Sequence, residues 1–124
     1  QGPRRTFGLA RIVLSRAHRL TSTLDYSRVV RRGARFSSGS VVMHVVVGDE
    51  STPSRFGFVV SKAVGHAPQR NLIKRRLKML ARPLTQTIYG DVVIRALPSA
   101  AQASWDQLQA DVAKCVEKAQ TSNA

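Results

Sequence analysis

Apolar residues recur along this chain with two rhythms, and the switches between them lay out its elements. Between residues 22 and 32, Tyr26, Val29 and Val30 return at helical spacing, with Arg28, Arg31 and Arg32 around them. Ser22 with Asp25 three residues on resembles a capping box, and Gly33 suits the position just past a helix end. The spacing predicts a first helix over 22–32. The rhythm then shortens. Arg35 to Ser37 reads as a short strand, and the β-branched run Val41 to Val47 as a central one. His44 is the only strongly polar side chain of that run and shares a face with Val42 and Val46. After the turn-rich stretch 48–53, Arg55 to Ser61 alternates: Phe56, Phe58 and Val60 on one side, Gly57, Val59 and Ser61 on the other. This is the expected return strand of a hairpin with 41–47.

A second helix is predicted over 68–82. Pro68 suits a first helical position, where its missing N–H costs nothing, and Pro83 is expected to stop the helix near Arg82, since the α region is disfavoured for the residue before a proline. At about 100° per residue, Ile73, Leu77, Leu80 and Leu84 fall on one narrow face. Tyr89 to Ala96 is a further strand, and Val92, Val93 and Ile94 in a row imply burial on both sides. Ser104 and Gln107 form a capping box for a last helix over 105–119, striped by Trp105, Leu108, Val112, Cys115 or Val116, and Ala119. Strands gathered into one sheet with helices packed on it make an α+β domain. Its expected limits are 13–120, after a basic extension or remnant at 1–12 and before a frayed tail at 121–124. The opening Gln1-Gly2-Pro3 resembles a protease-cleavage scar.

Composition sharpens this. The 124 residues carry 20 Lys+Arg against 7 Asp+Glu, a net charge of +13, with 43% hydrophobic residues. A chain this apolar builds a core, and a chain this basic favours a polyanion, with nucleic acid ahead of an anionic membrane surface. The single cysteine, Cys115, excludes an internal disulfide and fits a reducing, cytoplasmic setting; on its helical stripe it reads as a small buried hydrophobe. No apolar run approaches the ~20 residues that span a bilayer. The histidines, His18, His44 and His66, are too scattered for a metal triad.

The candidate chemistry concentrates on the second helix. Arg70, Lys74, Lys78 and Arg82 step along one face, with Asn71, Arg75 and Arg76 beside them, and no acid occurs from 52 to 89. A solvated basic face is the plain reading. Two features favour an anionic partner. Like charges repel along such a face by a few tenths of a kcal/mol per pair, ~0.2–0.5. Asn71 adds a neutral amide able to reach a phosphate, a sugar or, through water, a metal ion.

The run Phe58-Val59-Val60-Ser61-Lys62, the connection through Gly65, and the helix opening Arg70-Asn71 with Lys74-Arg75 shortly after resemble the protein subunit of bacterial ribonuclease P. Asp25-Tyr26, Val29 and Gly33 upstream fit the same family, as does Gly90-Asp91-Val92-Val93-Ile94-Arg95 downstream; the similarity spans roughly 14–119. The resemblance implies an α-β-β-β-α-β-α sandwich, a four-stranded sheet packed with helices. It also implies a left-handed βαβ crossover, of the kind seen in a ribosomal small-subunit protein domain. It implies a non-catalytic protein subunit of a tRNA-processing endoribonuclease, whose RNA subunit removes the 5′ leader of precursor tRNA with magnesium (Mg2+) held mainly by RNA. Its partners would be that RNA subunit and the leader, with no membrane and no obligate protein partner. Carried over, Arg70, Asn71, Lys74, Arg75, Arg76 and Lys78 would face the RNA subunit, and Asn71 is the one weak metal candidate. Tyr26, Val30, Phe36, His44, Ser61 and Lys62 would line a leader cleft between the first helix and the sheet. The family usually has Arg in place of Leu72 and often in place of Lys78, and often an aromatic in place of Val30 and His44.

Each of these residues also has a plain structural reading. Tyr26 and Phe36 suit a core aromatic as well as a stacking platform, and His44 suits a hydrogen-bonded core position. Trp105 is expected to anchor the last helix to the sheet. Leu72 and Met79 share an exposed-looking face without an evident partner. A structural RNA-binding protein of ribosomal or chaperone type is the competing class. A self-contained nuclease is disfavoured, because its metal would need carboxylate ligands and the acids are scattered.

Overall fold

The computed structural model describes residues 16–49, 51 and 53–122. The basic extension with Ile12-Val13-Leu14, Glu50 and Thr52 of the loop, and 123–124 of the expected tail lie outside the described residues. Among the described residues three α-helices are present: α1 (Thr23–Arg32), α2 (Ala67–Ala81) and α3 (Trp105–Ser122). Four strands accompany them: β1 (Ala34–Ser38), β2 (Val41–Val47), β3 (Arg55–Val60) and β4 (Gly90–Ala96). The last helix runs three residues past the predicted end at Ala119.

The sheet order is β1-β2-β4-β3, antiparallel except for the parallel pair β3–β4. The expected hairpin between β2 and β3 is therefore absent; β4 lies between them. The reason is burial. Val92, Val93 and Ile94 of β4 are fully buried, which demands a central strand, whereas Val59 and Val60 of β3 are half-exposed and tolerate an edge. A parallel pair needs a crossover connection, and α2 supplies it.

The sheet has one fully covered face. There Met43, Val45, Phe56, Phe58, Val92 and Ile94 pack against Ile73, Leu77 and Ala81 of α2 and Leu108, Val112, Cys115 and Val116 of α3. Each large side chain so buried contributes about 1.5–3 kcal/mol. Trp105 is half-buried and outside both apolar clusters, so Leu108, not Trp105, begins the anchoring stripe. Burial pushes the Cys115 thiol up to about 11. On the opposite face α1 covers only part of the sheet, packing Val29 with Leu20 and Val93, flanked by Tyr26, Val46 and Val59.

The caps differ from their sequence signatures. Ser22 accepts the Leu24 N–H at 3.2 Å, but Asp25 turns away to Arg28 and Arg55. Ser104 accepts the Gln107 N–H at 3.1 Å, while the Gln107 side chain donates to Asp111. Asp111 also accepts the Ser40 N–H and hydroxyl, tying the β1–β2 turn to α3. Gly33 ends α1 in extended backbone (φ −74), not the left-handed conformation expected past a helix. Glycine is needed there for space: a Cβ would lie 2.5 Å from the Val29 carbonyl oxygen and 2.9 Å from that of Val45.

An ion cluster fastens α1 to the sheet. Arg55 grips Asp91 with both Nε and Nη2 at 2.9 Å, and Arg28 of α1 donates to the same carboxylate. Asp25 sits 3.5 Å from Arg28 and 3.6 Å from Arg55. Burial would raise the Asp91 carboxyl, but the hydrogen bonds from Arg55 and Arg28 outweigh it and hold it below its ordinary value. Asp91→Asn is expected to lower stability at pH 7 by about 2 kcal/mol in urea unfolding. The native carboxyl titrates below the unfolded one, so the deficit is full above about pH 4 and shrinks as pH falls further. A deficit independent of pH would show that the ionised carboxylate is not its source.

Candidate RNA-binding surfaces

With Ile73, Leu77 and Ala81 turned inward, α2 presents Asn71 and Arg75 exposed and Arg70, Lys74, Arg76 and Lys78 half-exposed. Among the described residues, the ion pairs of Asp25 and Asp91 go to Arg28 and Arg55, and none joins a carboxylate to an α2 cation. Arg70 is steadied by donating from Nε to the Gly65 carbonyl at 3.1 Å. The Gln69 side chain fills the space where a Gly65 Cβ would stand and donates to the Ala101 carbonyl at 3.3 Å. The connection from β3 is thus fixed to the start of α2. Ser61 and Lys62 stand exposed in it, and the Ser61 side chain makes no capping bond. Leu72 and Met79 are exposed by 36% and 41%.

The second surface lies on the partly covered sheet face. A groove of about 410 Å³ runs between α1 and β3, lined by Leu24, Tyr26, Ser27, Val30, Arg31 and Val59. Tyr26 is seated over Gly57, where a Cβ would come within 2.4 Å of its ring, and its hydroxyl accepts the Phe58 N–H at 3.1 Å. That N–H belongs to the edge strand. Tyr26 is therefore a half-buried ring held rigidly by one rim, combining both readings of it. Val30 is 40% exposed in the groove wall.

His44 is buried on the same sheet face, yet neither ring nitrogen has a hydrogen-bond partner. It is not the satisfied core histidine of the plain reading. Burial, and then the charges of Arg35 and Arg95, hold its pKa below the ordinary value, so it is neutral at pH 7. Phe36 is a correction. It pairs with Met43 in the register and packs into the covered core on the other side of the sheet, so it does not line the cleft beside α1. The period-two alternation puts Arg35 and Ser37 there instead. Sequence reasoning passed over Arg35, Arg95 and Gly57, because their neighbours are set by tertiary packing: Arg35 by pairing with β2, Arg95 by the place of β4 beside β2, and Gly57 by Tyr26 of α1.

A family model for ribonuclease P matches residues 14–120. The chain belongs to the ribonuclease P protein family. The ribonuclease P protein component of Clavibacter michiganensis is 41% identical over 109 residues, covering 86% of this chain and 96% of that one. Its counterpart from an Arthrobacter species is 46% identical over 108 residues, covering 85% and 79%. Among solved structures, the ribonuclease P protein of Staphylococcus aureus superposes with a TM-score of 0.74 at 22% identity, covering 82% of this chain and 94% of that one. That of Thermotoga maritima gives 0.69 at 20%, covering 81% and 96%. At those identities the structures establish the fold, the α+β sandwich described above. The family acts in tRNA 5′ maturation with the ribonuclease P RNA, which carries the catalysis, and with precursor tRNA as substrate. The reaction of the family depends on magnesium in general. Asn71, a single neutral amide among cations, does not fit a protein-held Mg2+, which takes oxygen ligands with carboxylates among them. Among the described residues no helix is long and apolar enough to cross a membrane.

Two substitutions test how Tyr26 is held. Tyr26→Phe strands the Phe58 N–H and is expected to cost about 1 kcal/mol. Gly57→Ala drives a methyl into the ring and is expected to cost about 1–3 kcal/mol. Both are read by urea unfolding, and a neutral Gly57→Ala would mean the ring is free to move.

Proposed function

We propose that α2 docks on the RNA subunit while the groove beside α1 holds the 5′ leader of precursor tRNA. The supporting observation is that cations with no carboxylate partner among the described residues occupy two surfaces on opposite sides of one sheet: the acid-free α2, and the α1 face with Arg31, Arg35 and Arg95. A protein so charged bridges two RNA segments. On α2, Arg70, Arg75 and Arg76 offer planar forks to phosphates, Lys74 and Lys78 point charges, and Asn71 an amide. Leu72 leaves one contact unmade where the family usually has Arg.

In the groove, Tyr26 offers the face of its ring to an unpaired base, a contact of about 1–3 kcal/mol that tolerates any base. Val30 and Val59 supply apolar lining, and the exposed Ser61 and Lys62 follow directly on β3, the strand that carries Val59. Such binding suits a leader that differs from one tRNA to the next. Magnesium stays with the RNA in this reading, and the protein lowers the concentration required by screening phosphate repulsion. The working unit is the domain over 13–120, acting in the cytoplasm.

Cleavage of precursor tRNA by the cognate RNA subunit at low magnesium is expected to be stimulated by the protein, with correct 5′ ends. Tight salt-sensitive RNA binding without stimulation would instead favour a structural RNA binder. Arg75→Ala should weaken binding to the RNA subunit and reduce the slope of log affinity against log salt by about 1. An unchanged slope would place Arg75 off the interface.

A further inference from the structure

We propose that Arg35, His44 and Arg95 form a seat for one phosphodiester of the leader, on the sheet face beside α1, with the two exposed arginines at its mouth and His44 beneath them. The inference rests on the leader reading of that face. His44 is only 5% exposed, and both its ring nitrogens lack partners. A buried polar group left so costs about 1–3 kcal/mol, a cost that a bound ligand relieves. The register fixes what stands around it. Arg35 of β1 is directly opposite His44, and Arg95 of β4 is opposite Val42, two residues along the same face of β2. Opposite side chains have Cβ atoms about 5 Å apart and diagonal ones about 7–8 Å apart, which puts both arginines within side-chain reach of the ring. Their charges already act on it.

Both arginines are exposed, and neither has a carboxylate partner among the described residues. Two cationic forks and one neutral ring N–H without an acceptor are thus neighbours on one sheet face. That is the chemistry of a phosphate oxygen cluster. Tyr26 and Val30 lie on α1 over the same face, so a strand whose base rests on Tyr26 carries its backbone toward β1 and β4. The seat would fix the register of the leader without reading its sequence, since phosphates are the same at every step.

The test uses the holoenzyme of this protein and its cognate RNA subunit. Precursor tRNAs carry one neutral methylphosphonate linkage at each leader position in turn. One linkage is expected to weaken native binding about tenfold, the worth of a charge-assisted hydrogen bond. Arg95→Ala and His44→Phe should each weaken binding of the unmodified leader similarly, then lose less than about twofold more at that linkage. Phenylalanine keeps a stacking face and loses the donor, so His44→Phe with unchanged affinity would overturn the seat. Arg35→Ala and Arg95→Ala alter exposed side chains only, and they decide the matter if His44→Phe misfolds. Full tenfold losses in these variants at the same linkage would also overturn it. If the native holoenzyme prefers leader-bearing precursor yet no linkage matters, the seat is wrong and the leader reading stands. With no such preference, both fall. Weaker binding of the variants to the RNA subunit alone would give the phosphate to that RNA and overturn its assignment to the leader.

Discussion

Burial of β4 on both faces is the constraint on which this domain depends. Val92 and Ile94 point into the core with α2 and α3, and Val93 points to α1. A strand buried on both sides needs helices above and below it and hydrogen-bonded partners at both edges. It takes β2 antiparallel and β3 parallel. The parallel partner requires a crossover, and the crossover is the basic helix. The placement of α2, with its cations outward, thus follows from three apolar residues some twenty positions later.

The same strand sorts the charges. Asp91, beside Val46 in the register, collects Arg28 and Arg55 with help from Asp25. Those two arginines serve the fold. Arg31, Arg35 and Arg95 on the same side of the sheet have no such partner among the described residues and remain available to an anion. A count of basic residues overstates the binding surface, because the four acids and bases of the cluster cancel where α1 meets the sheet. Neutralising the end of α1 that packs on β4 leaves net positive charge around the groove.

Much of this was legible in the residues. Element types, the central character of β2 and β4, and the inward face of α2 follow from apolar spacing alone, and the family was readable from the strand–connection–helix run around Arg70-Asn71. What could not be read was pairing. Alternation in 55–61 says that a strand exists, not which strand lies beside it, so a hairpin with β2 was the natural and incorrect expectation. The errors at the site share this origin. Phe36 belongs to the core face because it pairs with Met43, and Arg95 belongs beside His44 because β4 pairs with β2. Capping failed for a different reason: Asp25 and Gln107 had better partners in the tertiary structure, Arg28 and Arg55 for one and Asp111 for the other.

The sheet order also sets a timetable for a chain made from its N-terminus. The hairpin β1–β2 can close early, but β2 meets β4 only across some fifty residues, as Val41 with Ala96. Until β4 has been synthesised, β3 has no neighbouring strand, and the inner face of α2 lacks half its core. The polycationic helix therefore emerges before the strand that completes its packing. Long-range pairings of this sort form slowly. For that interval the nascent chain holds a strongly basic, incompletely buried segment, and an RNA bound early would favour its ordering by mass action.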